Sequence, residues 1–276
     1  MAQRKGQSKQ RRRRRRARRD GTPTVLVLLC LILTVVAMIL AATIFFKIET
    51  ITLTGSTRYS QQHVAEASGL KTGDNLVLFD KISVKEGIYQ ACPYLDTVQI
   101  RRRYPSGIEI IVTECEPVAI IQDEKAEVPD PEDETKTITI GNTGCWLMDR
   151  KGKLLENIPY SQHSELTRIY GVTLVKPEIG KSAEILQEDT KKPLFLLLNT
   201  AEDDGILQDI GGMDFSEPYA IRFNYLGRFV VKLGSTEDLD VKMRYLHLIV
   251  EEKLGSNAAG TLDLSDVQTA RFIPND

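Results

Sequence analysis

The sequence predicts an α+β protein that begins with a transmembrane helix and continues into two units rich in β-strand. Residues 24–46 contain no charged residue, no glycine and no proline. Residues 47–119 contain short segments of strand and helix periodicity in the order β-α-α-β-β. Beyond residue 137, strand patterns and turn residues alternate with two helical stretches. These three observations define the predicted architecture.

The uncharged stretch 24–46 is long enough to cross a bilayer, because 23 helical residues extend about 34 Å. A cleaved signal peptide has a shorter apolar region followed by small residues in an A-x-A pattern, and neither precedes Lys47. We therefore expect the stretch to remain as an anchor.

The charge around this stretch predicts its orientation. Residues 1–20 hold 11 of the chain's 36 Lys and Arg residues, whereas only Lys47 closely follows the span. The N-terminus is therefore predicted to be cytoplasmic. Residues 1–23 form a basic tail that we expect to contact anionic membrane lipid. The arginine run also permits a nucleic-acid role, but its place beside an anchor favours the membrane.

The unit after the span has clear strand and helix signals. Ile51 and Leu53 alternate with threonines and precede Gly55, which predicts a first strand. Two helices follow, one capped by Ser60 and one that stops at Pro93. Two strands then alternate apolar and polar residues on either side of a turn, in VQIRRRYPSGIEIIV.

This order resembles the POTRA domain of the bacterial division family FtsQ/DivIB, in which the domain directly follows one membrane helix with a cytoplasmic N-terminus. The segments ITLTGSTRYS and CPYLDTVQIRRRYPSGIEIIVTECEPVAI open and close it. The residues that match the family pattern are Gly55 after the first strand, Pro93 before the second, Pro105 between the last two, and Glu114, Pro117, Val118 and Ala119 at the close. Cys115 departs from the pattern, because a basic residue usually follows the acid.

Residues 120–273 are predicted to form a mixed, mostly antiparallel β domain with helices. Its first part, 122–136, holds seven acids, two lysines and two prolines, which predicts a flexible acidic loop. A hairpin in LMDRKGKLL, a helix over 193–202 and paired strands in YAIRFNYLGRFVVKLG follow. The hairpin, the VVKLG strand, the helix bearing Lys242 and the GTLDLSD strand also resemble the family.

Catalytic signatures are missing from the sequence. The three histidines, His63, His163 and His247, fall in no H-E-x-x-H pattern, and no glycine-rich phosphate motif is present. We therefore predict that the protein is not an enzyme and that it has no cofactor and no metal site.

The end of the chain is the predicted partner-binding site. A last strand or strand pair is predicted in 261–264 and 267–273, and a terminal strand leaves one side free to pair with another chain. In FtsQ/DivIB proteins the C-terminal end of this domain is where a partner adds its strand. The resemblance therefore implies a partner-binding site at Asp266, Val267, Gln268, Thr269, Ala270, Arg271 and Phe272.

The function implied by the resemblance is that of a non-enzymatic division scaffold in the bacterial cell membrane at the division septum. Its outer domains would bind bitopic division proteins of the FtsL, DivIC and FtsB type and help to recruit septal peptidoglycan synthases. Two alternatives stay open. One is a POTRA-type chaperone of unfolded or secreted clients, although such proteins usually carry several POTRA units and a barrel. The other is a membrane-anchored cell-wall enzyme.

Overall fold

The computed structural model describes residues 22–129, 137–141, 144–255 and 257–275. The predicted basic tail lies outside the described residues, except for Thr22 and Pro23. The first element is helix α1 (Thr22–Phe45), whose 24 residues carry no charge. Its large apolar side chains are exposed between Val25 and Leu40 and again at Phe45.

Counting only the described part of the chain, no helix combines the length and the apolar character needed to cross a membrane.

The next unit has the predicted β-α-α-β-β order. Its elements are β1 (Thr50–Thr54), α2 (Gln61–Ala67), α3 (Lys81–Ala91), β2 (Leu95–Arg103) and β3 (Gly107–Glu114). The sheet order is β1-β3-β2, with β1 parallel and β2 antiparallel to β3. The predicted Ser60 cap is confirmed, because its hydroxyl accepts a hydrogen bond from His63 N.

Alternation in the strands builds the core of this unit. Ile108, Ile110 and Val112 are buried on one face of β3, and they pack with the buried Val84 and Ile88 of α3. Complete burial of an aliphatic side chain contributes about 1.5–3 kcal/mol. Packing of the two helices on one sheet face therefore holds the unit together.

Glu114, the acid of the family pattern, closes the loop between β1 and α2. Its carboxylate accepts hydrogen bonds from Ser56 Oγ at 2.7 Å, Thr57 N at 2.8 Å, Thr57 Oγ1 at 2.7 Å and Arg58 N at 2.7 Å. These bonds, led by the one from Arg58 N, lower the pKa of Glu114 to about 2. The acid thus acts through loop donors and does not need a basic residue at position 115.

We expect Glu114→Gln to destabilise this unit by about 1–2 kcal/mol at pH 7, because the amide cannot accept all four bonds and the half-exposed site moderates the loss. A carboxylate with a depressed pKa stabilises the fold above the unfolded-state pKa, and that contribution is lost as pH falls towards 2. Thermal unfolding between pH 7 and pH 2.5 should therefore show the wild type approaching the variant at low pH. The exposed Glu116→Gln is the control, and a constant gap across this range would contradict the assignment.

The second unit is built on a nine-stranded sheet. Its elements are β4 (Pro117–Asp123), β5 (Ala126–Pro129), β6 (Thr137–Ile140), β7 (Cys145–Asp149), β8 (Leu154–Ile158), β9 (Thr167–Val172), α4 (Glu188–Asp203), β10 (Ile210–Asp214), β11 (Ile221–Tyr225), β12 (Phe229–Gly234), α5 (Leu239–Leu248), β13 (Gly260–Asp263) and β14 (Arg271–Pro274). Strands β5 and β6 form a separate two-stranded sheet. The large sheet has the order β14-β13-β12-β11-β10-β9-β4-β7-β8. Five of its eight pairings are antiparallel, as predicted.

The structure corrects the sequence interpretation around residues 117–136. Strand β4 begins at Pro117 and pairs within the large sheet, so the predicted domain boundary after residue 119 falls inside this strand. A loop over the whole of 122–136 is wrong, because 122 and 123 belong to β4 and 126–129 pair with 137–140. Asp123 is buried, and its Oδ1 accepts a hydrogen bond from Leu174 N at 2.8 Å. The remainder, 130–136, lies outside the described residues.

Two helices cover the large sheet and complete its core. Leu194, Leu197 and Leu198 of α4 are fully buried, and Met243 and Leu246 of α5 join the same cluster. Helix α4 begins five residues earlier than predicted, so its proline lies inside the helix. The predicted hairpin turn in LMDRKGKLL is confirmed, because Asp149 Oδ1 accepts bonds from Lys151 N and Lys153 N between β7 and β8.

The two units contact each other through Tyr94, which immediately precedes β2. The Arg58 guanidinium lies 4.0 Å from the centroid of the Tyr94 ring. The Tyr94 hydroxyl donates a hydrogen bond to Glu156 Oε2, in the second unit, at 3.0 Å. Burial, together with this carboxylate, raises the pKa of Tyr94 to about 12. Lys153 Nζ donates to Leu95 O at 2.7 Å. These contacts join the first unit to the β7–β8 end of the large sheet, opposite β14.

Candidate partner-binding edge

The large sheet ends in two edge strands, and they differ in how they are covered. Edge strand β8 is bonded on its outer side at its first residue, since Leu154 N donates to Lys181 O at 2.8 Å and Gly180 N donates to Leu154 O at 2.7 Å. Further along, β8 faces the first unit, because Glu156 accepts a bond from the Tyr94 hydroxyl. Edge strand β14 pairs with β13 on one side. Within the described residues, no backbone segment pairs with its other side. An unpaired edge is a template for another strand, so β14 is the candidate site.

The seven predicted site residues divide between a turn and this strand. Asp266, Val267, Gln268, Thr269 and Ala270 lie in the connection between β13 and β14, and only Arg271 and Phe272 belong to β14. A strand beginning at Val267 is therefore wrong. The reason is local: Asp266 accepts hydrogen bonds from Gln268 N at 2.9 Å and Thr269 Oγ1 at 2.9 Å, which fold the chain into a turn.

The turn is held by charge as well as by hydrogen bonds. The Gln268 N–H, followed by the Thr269 hydroxyl, lowers the pKa of Asp266. A bond from the Ser265 hydroxyl lowers the pKa of Asp263. The positive charge of Arg271 acts on both acids in the same direction. The turn therefore stays charged at neutral pH and fixes where β14 begins.

The register identifies the backbone groups that β14 offers to a partner. Asn275 N donates to Ala259 O at 3.0 Å, one position beyond the Gly260–Pro274 pair. Bonded and non-bonded pairs alternate along an antiparallel ladder, so Ile273 and Arg271 bond to β13 while Phe272 and Pro274 face away. The free edge accordingly presents the N–H and C=O of Phe272 and the C=O of Pro274.

Alternate side chains of β14 lie on opposite faces of the sheet. Phe272 packs against the core, with its ring centroid 6.2 Å from that of Phe229 in an edge-to-face arrangement. Ile273, on the other face, is 52% exposed and lies in register with Thr261 and the 42% exposed Val230. An added strand would therefore find backbone partners at Phe272 and an apolar side chain at Ile273, whereas Val230 lies two strands further in, about 10 Å from Ile273. The predicted strand reached Ile273, but the predicted site, 266–272, included neither Ile273 nor Pro274.

Gly260 lets β14 lie close to β13. A Cβ atom at this position would be 2.2 Å from Ile273 O and 2.9 Å from Pro274 Cα. Both neighbouring atoms belong to the backbone, so a substitution has to displace β14.

We expect Gly260→Ala to release β14 from the sheet, because the methyl group cannot fit against the Ile273 carbonyl. Hydrogen exchange at the Arg271 and Ile273 amides should become at least about tenfold faster. Gly255→Ala is the matched control, because a Cβ at Gly255 meets no atom within 4 Å. Unchanged exchange in Gly260→Ala would show that β14 does not depend on this close approach.

Lys242 supports the same end of the sheet from helix α5. Its side chain is buried. Its Nζ donates a hydrogen bond to Leu233 O, within β12, at 2.9 Å and another to Ser235 O, just after β12, at 2.8 Å. Burial lowers the pKa of Lys242, opposed by the charges of Asp238, Glu237 and Asp266. This lysine links α5 to the strands that precede β14. The sequence marked the helix without indicating that its lysine is buried.

Each of the three histidines has a neighbouring partner. His63 stacks on Tyr59, His163 pairs with Glu165 at 3.0 Å, and His247 pairs with Glu251 at 3.0 Å. Across the described ranges, no three His, Cys, Asp or Glu side chains are grouped to hold a metal ion.

Comparison with known proteins gives this geometry a family context. The family model for the POTRA domain, FtsQ-type, matches residues 46–114. These residues contain the complete β1-α2-α3-β2-β3 unit. The predicted resemblance to the FtsQ/DivIB family is confirmed.

Similarity extends beyond the POTRA domain. The chain is 25% identical over 201 residues to the cell division protein FtsQ of Geobacter sp. (strain M21), covering 71% of this chain and 65% of the relative. It is 24% identical over 226 residues to the cell division protein DivIB of Clostridium botulinum (strain Loch Maree / Type A3), covering 80% of this chain and 79% of that protein. The DivIB of Clostridium acetobutylicum is 25% identical over 222 residues, with 80% of each covered.

Proposed function

We propose that this protein is a division scaffold of the bacterial cell membrane, and that a bitopic partner protein binds it by adding a strand to β14. The free edge carries this proposal, because Phe272 directs an N–H and a C=O away from the sheet. Strand addition uses such backbone groups for affinity and alternate side-chain positions for specificity. Ile273 supplies the apolar side chain beside the added strand.

The partner chemistry follows from the edge and from the similarity to division proteins. A partner would present an extended segment with an apolar side chain towards Ile273. We propose the FtsL, DivIC and FtsB type of bitopic division protein for this role, with septal peptidoglycan synthases recruited through them. The edge opposite β14 contacts the POTRA domain, so a partner can bind β14 without displacing that contact.

A membrane tether is the second part of the proposal. Residues 24–46 are uncharged, and 11 Lys and Arg residues lie before them. The apolar side chains described between Val25 and Leu40 are exposed, which suits contact with lipid. We propose that this segment spans the membrane with the basic tail in the cytoplasm and the POTRA and β domains outside.

Depletion of the protein in its own host tests the proposed role. Depleted cells should stop dividing and form filaments, and a fluorescently tagged copy should restore division and collect at midcell. Normal division in depleted cells, together with an evenly distributed tagged protein, would contradict the scaffold role.

A further inference from the structure

The POTRA domain exposes an apolar surface beside the end of the proposed anchor. We define the juxtamembrane patch as Val77, Leu78, Ile82 and Tyr104, which are 41%, 72%, 67% and 63% exposed. Leu78 lies in the turn before α3, Ile82 in the first turn of α3, and Tyr104 in the turn between β2 and β3. Phe45, the last residue of α1, is itself 76% exposed.

Chain connectivity keeps this patch next to the end of α1. Leu76 N donates to Phe46 O at 2.8 Å, and the rings of Phe46 and Tyr104 meet edge to face at 5.6 Å. Leu78 is two residues beyond Leu76, so it lies within about 7 Å of that bond along the chain. Wherever α1 ends at a membrane surface, the patch lies at the same surface.

The turn that carries Leu78 is held by several hydrogen bonds. Asn75 Oδ1 accepts hydrogen bonds from Val77 N at 2.8 Å and Leu78 N at 3.1 Å. Arg102 donates from Nε to Leu76 O at 2.7 Å and from Nη2 to Val77 O at 2.9 Å. Its guanidinium also lies 4.8 Å from the centroid of the Phe79 ring. Most backbone polar groups of the turn are therefore already bonded.

These backbone hydrogen bonds matter because a peptide group without a hydrogen bond is costly to transfer from water into an apolar phase. The bonded backbone of this turn can therefore enter the membrane interface at little polar cost. The exposed Asp80, between Leu78 and Ile82, would stay at head-group level, where its carboxylate keeps its bonds from Ile82 N at 2.9 Å and Ser83 Oγ at 2.8 Å.

Lys47, Lys81 and Arg103 are exposed and lie beside Phe46, Ile82 and Tyr104 in the chain. Lys81 Nζ donates to Ile100 O at 3.1 Å and Arg103 pairs with Glu109 at 2.8 Å, so both would exchange these partners for a head group. Their long side chains can reach anionic head groups while apolar neighbours lie deeper.

We propose that the juxtamembrane patch inserts into the interface of the bilayer that holds α1, and so fixes the orientation of the POTRA domain. The inference rests on the membrane tether proposed above. Lipid is favoured over a protein partner because connectivity places the patch at the bilayer surface whether or not a partner is bound.

The test uses the full chain in vesicles of phosphatidylcholine and phosphatidylglycerol that contain brominated lipid, which quenches nearby tryptophan. Leu78→Trp places a probe in the patch, and Gln90→Trp places one on the same helix as Ile82, about 12 Å further along. Native Trp146 is 7% exposed and provides the background. Both new positions are exposed, and unchanged far-UV circular dichroism verifies the fold.

We expect the Leu78→Trp signal to shift to the blue and to be quenched at least about threefold more than the Gln90→Trp signal. Vesicle flotation separates the possible failures. A protein that floats with vesicles while Leu78→Trp emits as in water overturns the insertion and leaves the patch to a protein partner. A protein that does not float overturns the proposed tether and this inference with it.

Discussion

Phe272→Pro is expected to weaken partner binding by roughly 30- to 150-fold, which corresponds to about 2–3 kcal/mol. The proline removes the N–H that Phe272 directs away from the sheet and places a ring where an added strand would lie. The pairs at Arg271 and Ile273, which bond to β13, keep their N–H groups. Binding would be measured with the full chain in nanodiscs and the purified bitopic division partner from the same bacterium.

Phe272→Ala is the control for this prediction. It loses the contact between Phe272 and Phe229, as the proline variant does, but it retains the outward N–H. If β14 binds by strand addition, the alanine variant should bind at least about tenfold more tightly than the proline variant. Equal losses in the two variants would show that the ring, and not the backbone edge, is recognised.

Gly55→Ala is expected to destabilise the POTRA domain by at least about 3 kcal/mol. Gly55 has φ +94, and a Cβ there would be 2.1 Å from Val112 O, a backbone atom of the central strand β3. The variant therefore has to strain its own backbone and also displace β3 or the loop that Glu114 closes. For a domain of this size, we expect a fall of about 15 °C or more in its unfolding temperature.

Gly69→Ala separates the two causes of that loss. Gly69 also has positive φ, at +68, but a Cβ there meets nothing within 4 Å. It should cost only the backbone strain, about 1–2 kcal/mol. Differential scanning calorimetry of the two variants in detergent is the measurement. Comparable shifts would mean that the contact at Val112 relaxes without cost.

The POTRA domain was predictable because its signals are local. Alternation at Ile108, Ile110 and Val112 reports a sheet with one buried face, and Ser60 reports a helix start through its own side chain. The Glu114 contacts were less accessible, since the residues that it bonds lie more than 50 positions earlier. The sequence showed that the acid was present but not what it bonded.

The second domain was harder to predict where local and non-local effects compete. The β-branched Val267 and Thr269 favour a strand, but the Asp266 carboxylate binds the following backbone and hydroxyl and makes a turn. Pro193 indicated a helix start, but α4 begins at Glu188, and Thr190 before the proline is buried as Leu194 and Leu197 are after it. The burial of Lys242 depends on carbonyls that only the folded chain brings together.

Site-specific photocrosslinking in living cells tests the proposed binding edge most directly. A photoreactive residue placed at each position from 266 to 273, one at a time, should capture a bitopic division protein. Capture should be strongest from Arg271 and Ile273, whose exposed side chains flank the free edge. The same probe at the exposed Asn157, on edge strand β8, should capture none. Capture of no division protein from 266–273, or equal capture from Asn157, would contradict strand addition at β14.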